Sequence, residues 1–349
     1  FIMIPLGILL FLLLVFIVLF YGLQRYIVYG QDGVYLDFSG QGQAQSDGMG
    51  PSSVDYGVVA EIVYDEADYS EIQTTAGEDL SPVKALYLSA EQVTAETLGS
   101  ISAQLSSIGA NALVLEMKGT QGTLGWYSSV PLASSYGTNG TFDIASAIAP
   151  LKEEGIWLVA RISCCIDEYM AIRNAPLALA TAAGTVYSDT AGIWLDPSNT
   201  DVRQYTADLA AELLSLGFDE VLLSDLYVPQ PTDGTELVFS QVGSVELTPD
   251  IIMSGYALTV RDAVEAAGGK LSVVCDANAW RGGTTDSNGQ DPELFSRVFD
   301  RLYWLTDGNT VTSDMQIVGQ AISQDQLASR FVPIMYNTST TESWAYPYG

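Results

Sequence analysis

The chain has 349 residues, 48% of them apolar, and carries 13 Lys and Arg against 42 Asp and Glu, a net charge of −29. A surface that acidic repels phosphate backbones, so no nucleic-acid partner is expected, and it disfavours lying flat on anionic lipid. There is no histidine, which excludes Ser-His-Asp triads, Cys-His dyads and His-ligated zinc or haem and leaves Asp, Glu, Tyr, Lys and Cys for acid–base work.

The chain opens FIMIPLGILLFLLLVFIVLFYGLQ, with no charge before Arg25. About 20 apolar residues span a bilayer core as a helix. The run is longer than the apolar region of a signal peptide, and no small-residue cleavage motif follows it. Residues 1–24 therefore read as an uncleaved transmembrane signal anchor, a cleaved signal peptide being the alternative. The acidic remainder would then lie outside the cytoplasm, as a single-pass protein of the cell membrane. Residues 25–56, rich in Gly, Gln, Ser and Asp, read as a juxtamembrane linker, and 57–83 as an edge strand and a loop.

From Lys84 to the end, short apolar runs alternate with helical stretches. The runs are ALYLSA (85–90), ALVLEMK (112–118), IWLVARISC (156–164), EVLLSD (220–225), LSVVCDA (271–277), RLYWLT (301–306) and FVPIMYN (331–337). Helices are expected at 91–108, 142–154, 200–216, 249–268, 292–300 and 313–329. In the third of these, Val202, Tyr205, Leu209, Leu213 and Leu214 form an amphipathic stripe. Near-continuously apolar strands between helices indicate a parallel sheet covered on its outside. Seven of them in about 250 residues, without a glycine-rich dinucleotide turn, favour a TIM-type (β/α)8 barrel in an α/β protein. The eighth strand is a stub at 343–346, or comes from 57–64, or is missing and leaves the barrel incomplete.

In such barrels the working residues sit at the C-terminal ends of strands. There the sequence places Glu116 and Lys118, Arg161 and Asp167, Asp196, Ser224 and Asp225, then Asp276 with Asn278, Trp280 and Arg281, then Trp304 and Asp307, and Tyr336 with Asn337. Paired carboxylates beside aromatic rings suit glycoside chemistry: one carboxyl protonates the leaving oxygen while the other activates water or attacks the sugar. Trp126, Trp280 and Trp304 are the candidate stacking platforms. Structural readings stand beside these, since a strand-end Asp is often a helix cap, and Lys118 and Arg161 could equally hold an internal ion network. Cys164, Cys165 and Cys275 show no metal or disulfide spacing and read as buried thiols. No metal site and no cofactor are expected.

KALYLSA, ALVLEMK, GWYSSVPLASSYG (125–137), WLVARISCCIDEYM, GIWLDPSNTDVRQY, GFDE and CDANAW together resemble a bacterial family of TIM-barrel glycoside hydrolase domains of poorly characterised substrate. The resemblance puts Arg161, Asp167 and Asp276 on family positions. It also implies departures. Where the family's fourth strand has an Asp, this chain has Ser224, with Asp225 one residue late and turned to the other face unless the backbone re-aims it. The family's Asp-x-Lys-Asp reads Glu116-Met117-Lys118-Gly119 here, and its sixth-strand Met-x-Tyr-Pro segment is absent after Thr306. Glu220 reads as structural and Asp219 as solvated.

The expected function is that of a membrane-anchored, extracytoplasmic glycoside hydrolase-like protein acting on cell-envelope polysaccharide. Asp276, Asp225 and Glu116 would be catalytic. Lys118, Arg161, Asp167, Asp196, Trp126, Trp280, Arg281 and Trp304 would bind substrate. One alternative is a degenerate barrel that binds glycan, or scaffolds envelope partners, without cleaving. Another is a hydrolase or deacetylase using an all-oxygen Ca²⁺ or Mg²⁺ site.

Overall fold

The computed structural model describes residues 27–30, 33–36, 69, 72, 76–240, 248–306, 309–335 and 341–347. The expected anchor, the 57–64 strand, Asp307, Tyr336 and Asn337 lie outside these. Among the described residues no helix is long and apolar enough to cross a membrane. The chain divides into two units, Phe1–Tyr64 and Asp65–Gly349. In the first, within the stretch read as linker, Ile27–Gly30 pairs antiparallel with Gly33–Leu36.

The second unit is a closed barrel of eight parallel strands. In chain order they are β1 (Lys84–Leu88), β2 (Ala112–Lys118), β3 (Trp157–Ser163), β4 (Glu220–Ser224), β5 (Lys270–Cys275), β6 (Arg301–Leu305), β7 (Phe331–Ile334) and β8 (Trp344–Pro347). The barrel is complete, and the short eighth strand closes it. β8 pairs with β1 over four residues, from Trp344 opposite Lys84 to Pro347 opposite Tyr87, and with β7 through Ile334 and Ala345.

The helices that wrap the barrel are α1 (Ala95–Ile108), α2 (Ile144–Glu153), α3 (Thr200–Ser215), α4 (Pro249–Ala266), α5 (Pro292–Val298) and α6 (Val311–Val318). The α3 stripe is buried as its spacing requires. The helix expected at 313–329 is instead two pieces, because α6 stops at Gly319 and only Leu327–Arg330 resumes before β7. Gly319 and the polar Ser-Gln-Asp run after it supply the break.

Inside the barrel, Ala85, Val114, Val159, Leu222, Tyr303, Val332 and Ala345 form one apolar cluster. Its floor, at the N-terminal ends of the strands, is polar. The Glu220 carboxylate is fully buried, ion-paired to Arg301, and accepts from Trp157 Nε1 (2.8 Å) and Ser272 Oγ (2.6 Å). Glu220 is therefore structural. Asp219 beside it is not simply solvated: it pairs with Lys152 of α2 and accepts from the Leu158 N–H at 3.0 Å.

Candidate active site

At the opposite end of the barrel, where the strands finish, lies a cleft of about 560 Å³. Asp225 and Tyr227 follow β4, Asp276, Asn278 and Arg281 follow β5, and Leu305, Thr306 and Thr310 lie on and after β6; all line it. A second recess of about 280 Å³ sits on the barrel axis and is lined by Tyr87, Arg161, Leu222, Tyr303 and Pro347 among others. The two share Val274 and Leu305 as walls.

Asp225 reaches the cleft through its backbone. Strand alternation carries Glu220, Leu222 and Ser224 on one face and would send the next side chain outward. Asp225 instead takes φ 56°, one of two non-glycine described residues with positive φ. This left-handed step ends β4 and turns the carboxylate onto the cleft wall, as a bulge would have done. Ser224 is buried, and its hydroxyl donates to Asp225 Oδ2 at 2.9 Å. The serine at the expected acidic position thus positions the displaced one.

Asp276 caps the short helix Ala277–Gly282. Its Oδ1 accepts from the N–H groups of Asn278 (3.1 Å) and Ala279 (3.2 Å), and its Oδ2 from Asn288 Nδ2 (3.3 Å). Its own N–H donates to Gln290 Oε1 at 2.7 Å. The capping role weighed from sequence and the place on the cleft wall are both real. Arg281, on the same short helix, makes a two-pronged ion pair with Asp314 of α6, Nε to Oδ1 at 2.8 Å and Nη2 to Oδ2 at 2.7 Å. The Asp314 carboxyl is held below the ordinary carboxylate range: burial pushes it up, and the bonds from Arg281, Thr310 and Thr306 outweigh that. Burial, and then the charge of Asp225, push the Tyr227 phenol up, so it remains a proton-bearing donor on the cleft wall.

Glu116 meets Arg161 and Tyr87, two of the residues that line the axial recess. Arg161 Nη1 donates to Glu116 Oε2 (2.9 Å) and to the Tyr87 hydroxyl (2.7 Å), and Tyr87 donates to Glu116 Oε2. The departure at 119 now has a steric reason. A Cβ at Gly119 would stand 2.5 Å from Glu116 Oε1, so the longer acid at 116 occupies space that glycine leaves open.

The other sequence candidates lie elsewhere. The register shifts between Glu116 and Lys118, so Lys118 leaves the inward face. It is buried against Asp167 (2.9 Å) and donates to the Ser163 carbonyl (2.7 Å). Asp167 is fully buried and caps Glu168–Arg173 through the Met170 N–H at 2.8 Å. Asp196 is buried too, accepting from the N–H of Ser198 (2.8 Å) and of Ser240 (2.6 Å). Trp126 is buried and its Nε1 donates to Glu212 of α3 at 2.9 Å. Trp304 points outward, away from its inward neighbour Tyr303, and packs edge-on against the buried Trp280 at 5.4 Å. None of these six side chains lines the cleft or the axial recess, which corrects their assignment as sugar contacts.

Sequence reading missed Tyr87 in the axial recess, Tyr227 and the half-exposed Leu305 on the cleft wall, and Asp314 as the partner of Arg281. The one available signal was for Tyr87: two residues after the inward Ala85, it had to face the axis as well. All three cysteines are buried thiols, with Cys165 pushed up to about 12 by burial. Among the described residues no group of three or more metal-ligating side chains occurs.

Residues 85–303, more than half of the chain, match the family described as "Putative glycosyl hydrolase domain". A protein from Ruminiclostridium thermocellum is 24% identical over 54% of this chain and 96% of its own, with a TM-score of 0.48. The PgaB (BpsB) glycoside hydrolase domain from Bordetella bronchiseptica is 11% identical over 77% of this chain and 94% of its own, with a TM-score of 0.55, a likeness of fold. No curated protein matches the chain. The family match runs from the first barrel strand to the sixth and takes in both carboxylates of the cleft, and the chain belongs to this family of glycosyl hydrolase domains.

Proposed function

We propose that the protein is a glycoside hydrolase of the cell envelope, a barrel held outside the cytoplasm by the apolar segment 1–24 and acting on polysaccharide through Asp225 and Asp276. The observation that carries this reading is that two carboxylates from neighbouring strands, β4 and β5, line one cleft large enough for sugar residues. The two differ in their surroundings. Asp276 is fixed by three donors, which suits the group that attacks the anomeric carbon or aligns a water molecule beside it. Asp225 takes a single described donor, Ser224, and suits the acid that delivers a proton to the departing glycosidic oxygen. As the bond to that oxygen breaks, positive charge grows at the sugar ring, and both carboxylates face it. Leu305 offers an apolar surface to a pyranose face, and Tyr227 a donor to its hydroxyls. Retention or inversion follows from the separation of the two groups in the substrate complex.

A second reading, glycan binding without cleavage, is favoured by one observation: both Asp276 oxygens are already engaged by the protein. Turnover decides between the two. Release of reducing ends from bacterial wall polysaccharides is expected from the purified protein, and Asp276→Asn should lower it about 100- to 10,000-fold with glycan binding retained. Binding with no detectable release by the parent protein would select the second reading.

A further inference from the structure

The axial recess has chemistry of its own. Its walls are largely aliphatic, with Val114, Leu222, Val274, Ile334 and Pro347 surrounding a single cation, Arg161. The two tyrosines in it are spoken for: Tyr303 donates toward Glu220 on the barrel floor (3.4 Å), and Tyr87 is taken by Glu116 and Arg161. Arg161 uses Nη1 alone for Glu116 and Tyr87. Among the described residues its Nε and Nη2 have no acceptor, although the side chain is about one quarter exposed on this wall. A guanidinium with donors to spare in an aliphatic recess awaits an acceptor.

Charge selects the kind of acceptor. Glu116 already balances Arg161, so a carboxylate or an ammonium entering the recess would arrive with its charge uncompensated and would have to be desolvated. A neutral carbonyl would not. A hydroxyl could use the donors but would leave the aliphatic walls uncovered. An acetyl group supplies both parts, a carbonyl oxygen for the guanidinium and a methyl for the walls.

We infer that the axial recess is a specificity pocket for the acetyl group of an N-acetylated sugar whose ring lies in the cleft, with Arg161 donating to the acyl oxygen. The inference rests on the reading that the cleft holds glycan. It does not require that the glycan be cut. The recess and the cleft adjoin across the shared residues Val274 and Leu305, which sets the recess within reach of a substituent on a ring held beside Asp225 and Asp276.

The test is a matched pair of probes, the tetramer of N-acetylglucosamine and the tetramer of glucosamine, titrated into the full chain by calorimetry at about 0.15 M and about 1 M salt, where the screening length falls from about 8 to 3 Å. The pair is chosen for its opposing forces. The net charge of −29 draws the cationic, de-acetylated tetramer, whereas the recess draws the acetylated one. The acetylated tetramer is expected to bind at least about tenfold tighter at high salt. Ile334→Phe, which fills the recess, and Arg161→Lys, which keeps the charge beside Glu116 but removes the fork of donors, should each cut the ratio to about threefold or less. Neither should weaken the de-acetylated tetramer by more than about twofold. A thermal melt of each variant establishes that it is folded.

A ratio of one or below at high salt overturns the inference. So does a ratio unchanged in both folded variants, or no binding of either tetramer. Cleavage of wall polysaccharide with a ratio of one removes the pocket and leaves the hydrolase standing. The expected ratio in a protein without turnover does the reverse.

Discussion

Asp225 joins backbone strain to a place on the cleft wall in a single residue. The left-handed region is disfavoured for residues with a side chain by about 1–2 kcal/mol, and Asp and Asn tolerate it better than most. A carboxylate there needs its surroundings to hold it, and Ser224 is part of that hold. Strain of this kind gathers at functional sites. In a denaturant series at neutral pH, Asp225→Gly should be at least as stable as the parent and Asp225→Ala less stable than Asp225→Gly by about 1 kcal/mol, and under the proposed mechanism both lose polysaccharide cleavage. Equal stability of the two would mean that the dihedral carries no strain. The sequence showed an acid one step out of phase at this position. It could not show which way the backbone would turn, because Asp225 is followed by Leu-Tyr-Val, with no glycine or proline to announce a kink.

At the scale of elements, seven of the eight strands were legible because each is a short apolar run between helices. The same trait hid the faces. A strand buried on both sides loses the period-two pattern, so nothing in RLYWL says that Tyr303 faces the axis and Trp304 the helices. Lys118 was misplaced by the register shift after Glu116, and Asp167 and Asp196 by the likeness of a helix cap to a catalytic acid at a strand end. Asp314 was invisible for a related reason. It lies on a helix that comes back to the rim, and only the tertiary fold brings it to Arg281. That pair has a pH signature. Its carboxyl is held below the ordinary range when folded, so the stability it contributes is present above the usual carboxylate value of about 3.9 and is lost as pH falls through the depressed folded value. Asp314→Asn should therefore cost about 1.5–3 kcal/mol at neutral pH. It should also flatten the fall of unfolding free energy between about pH 4 and pH 2, as urea titrations at stepped pH would register.

For the whole molecule, the barrel is polar at both ends of its axis and apolar between, and the two ends do different work. The floor pair Glu220–Arg301 is sealed from water, and removing one partner strands the other. Glu220→Gln should destabilise the protein by about 3–5 kcal/mol and yet leave the proposed cleavage unchanged per folded molecule, because the cleft lies at the other end. A matching loss of specific activity would show that floor and cleft are coupled. The order of the strands was readable, since a barrel follows from their number and their buried character. The closing strand was readable only as one of three alternatives, the stub at 343–346, because four residues carry too little pattern to stand apart from a loop. That brevity has a consequence for biosynthesis. Residue 344 must lie beside residue 84 before the ring is whole. A ribosome reaches the later of these only after nearly all of the barrel has been made. Until then β1 and β7 present bare parallel edges, so a nascent chain of this protein should depend on chaperone cover until the closing strand has been made.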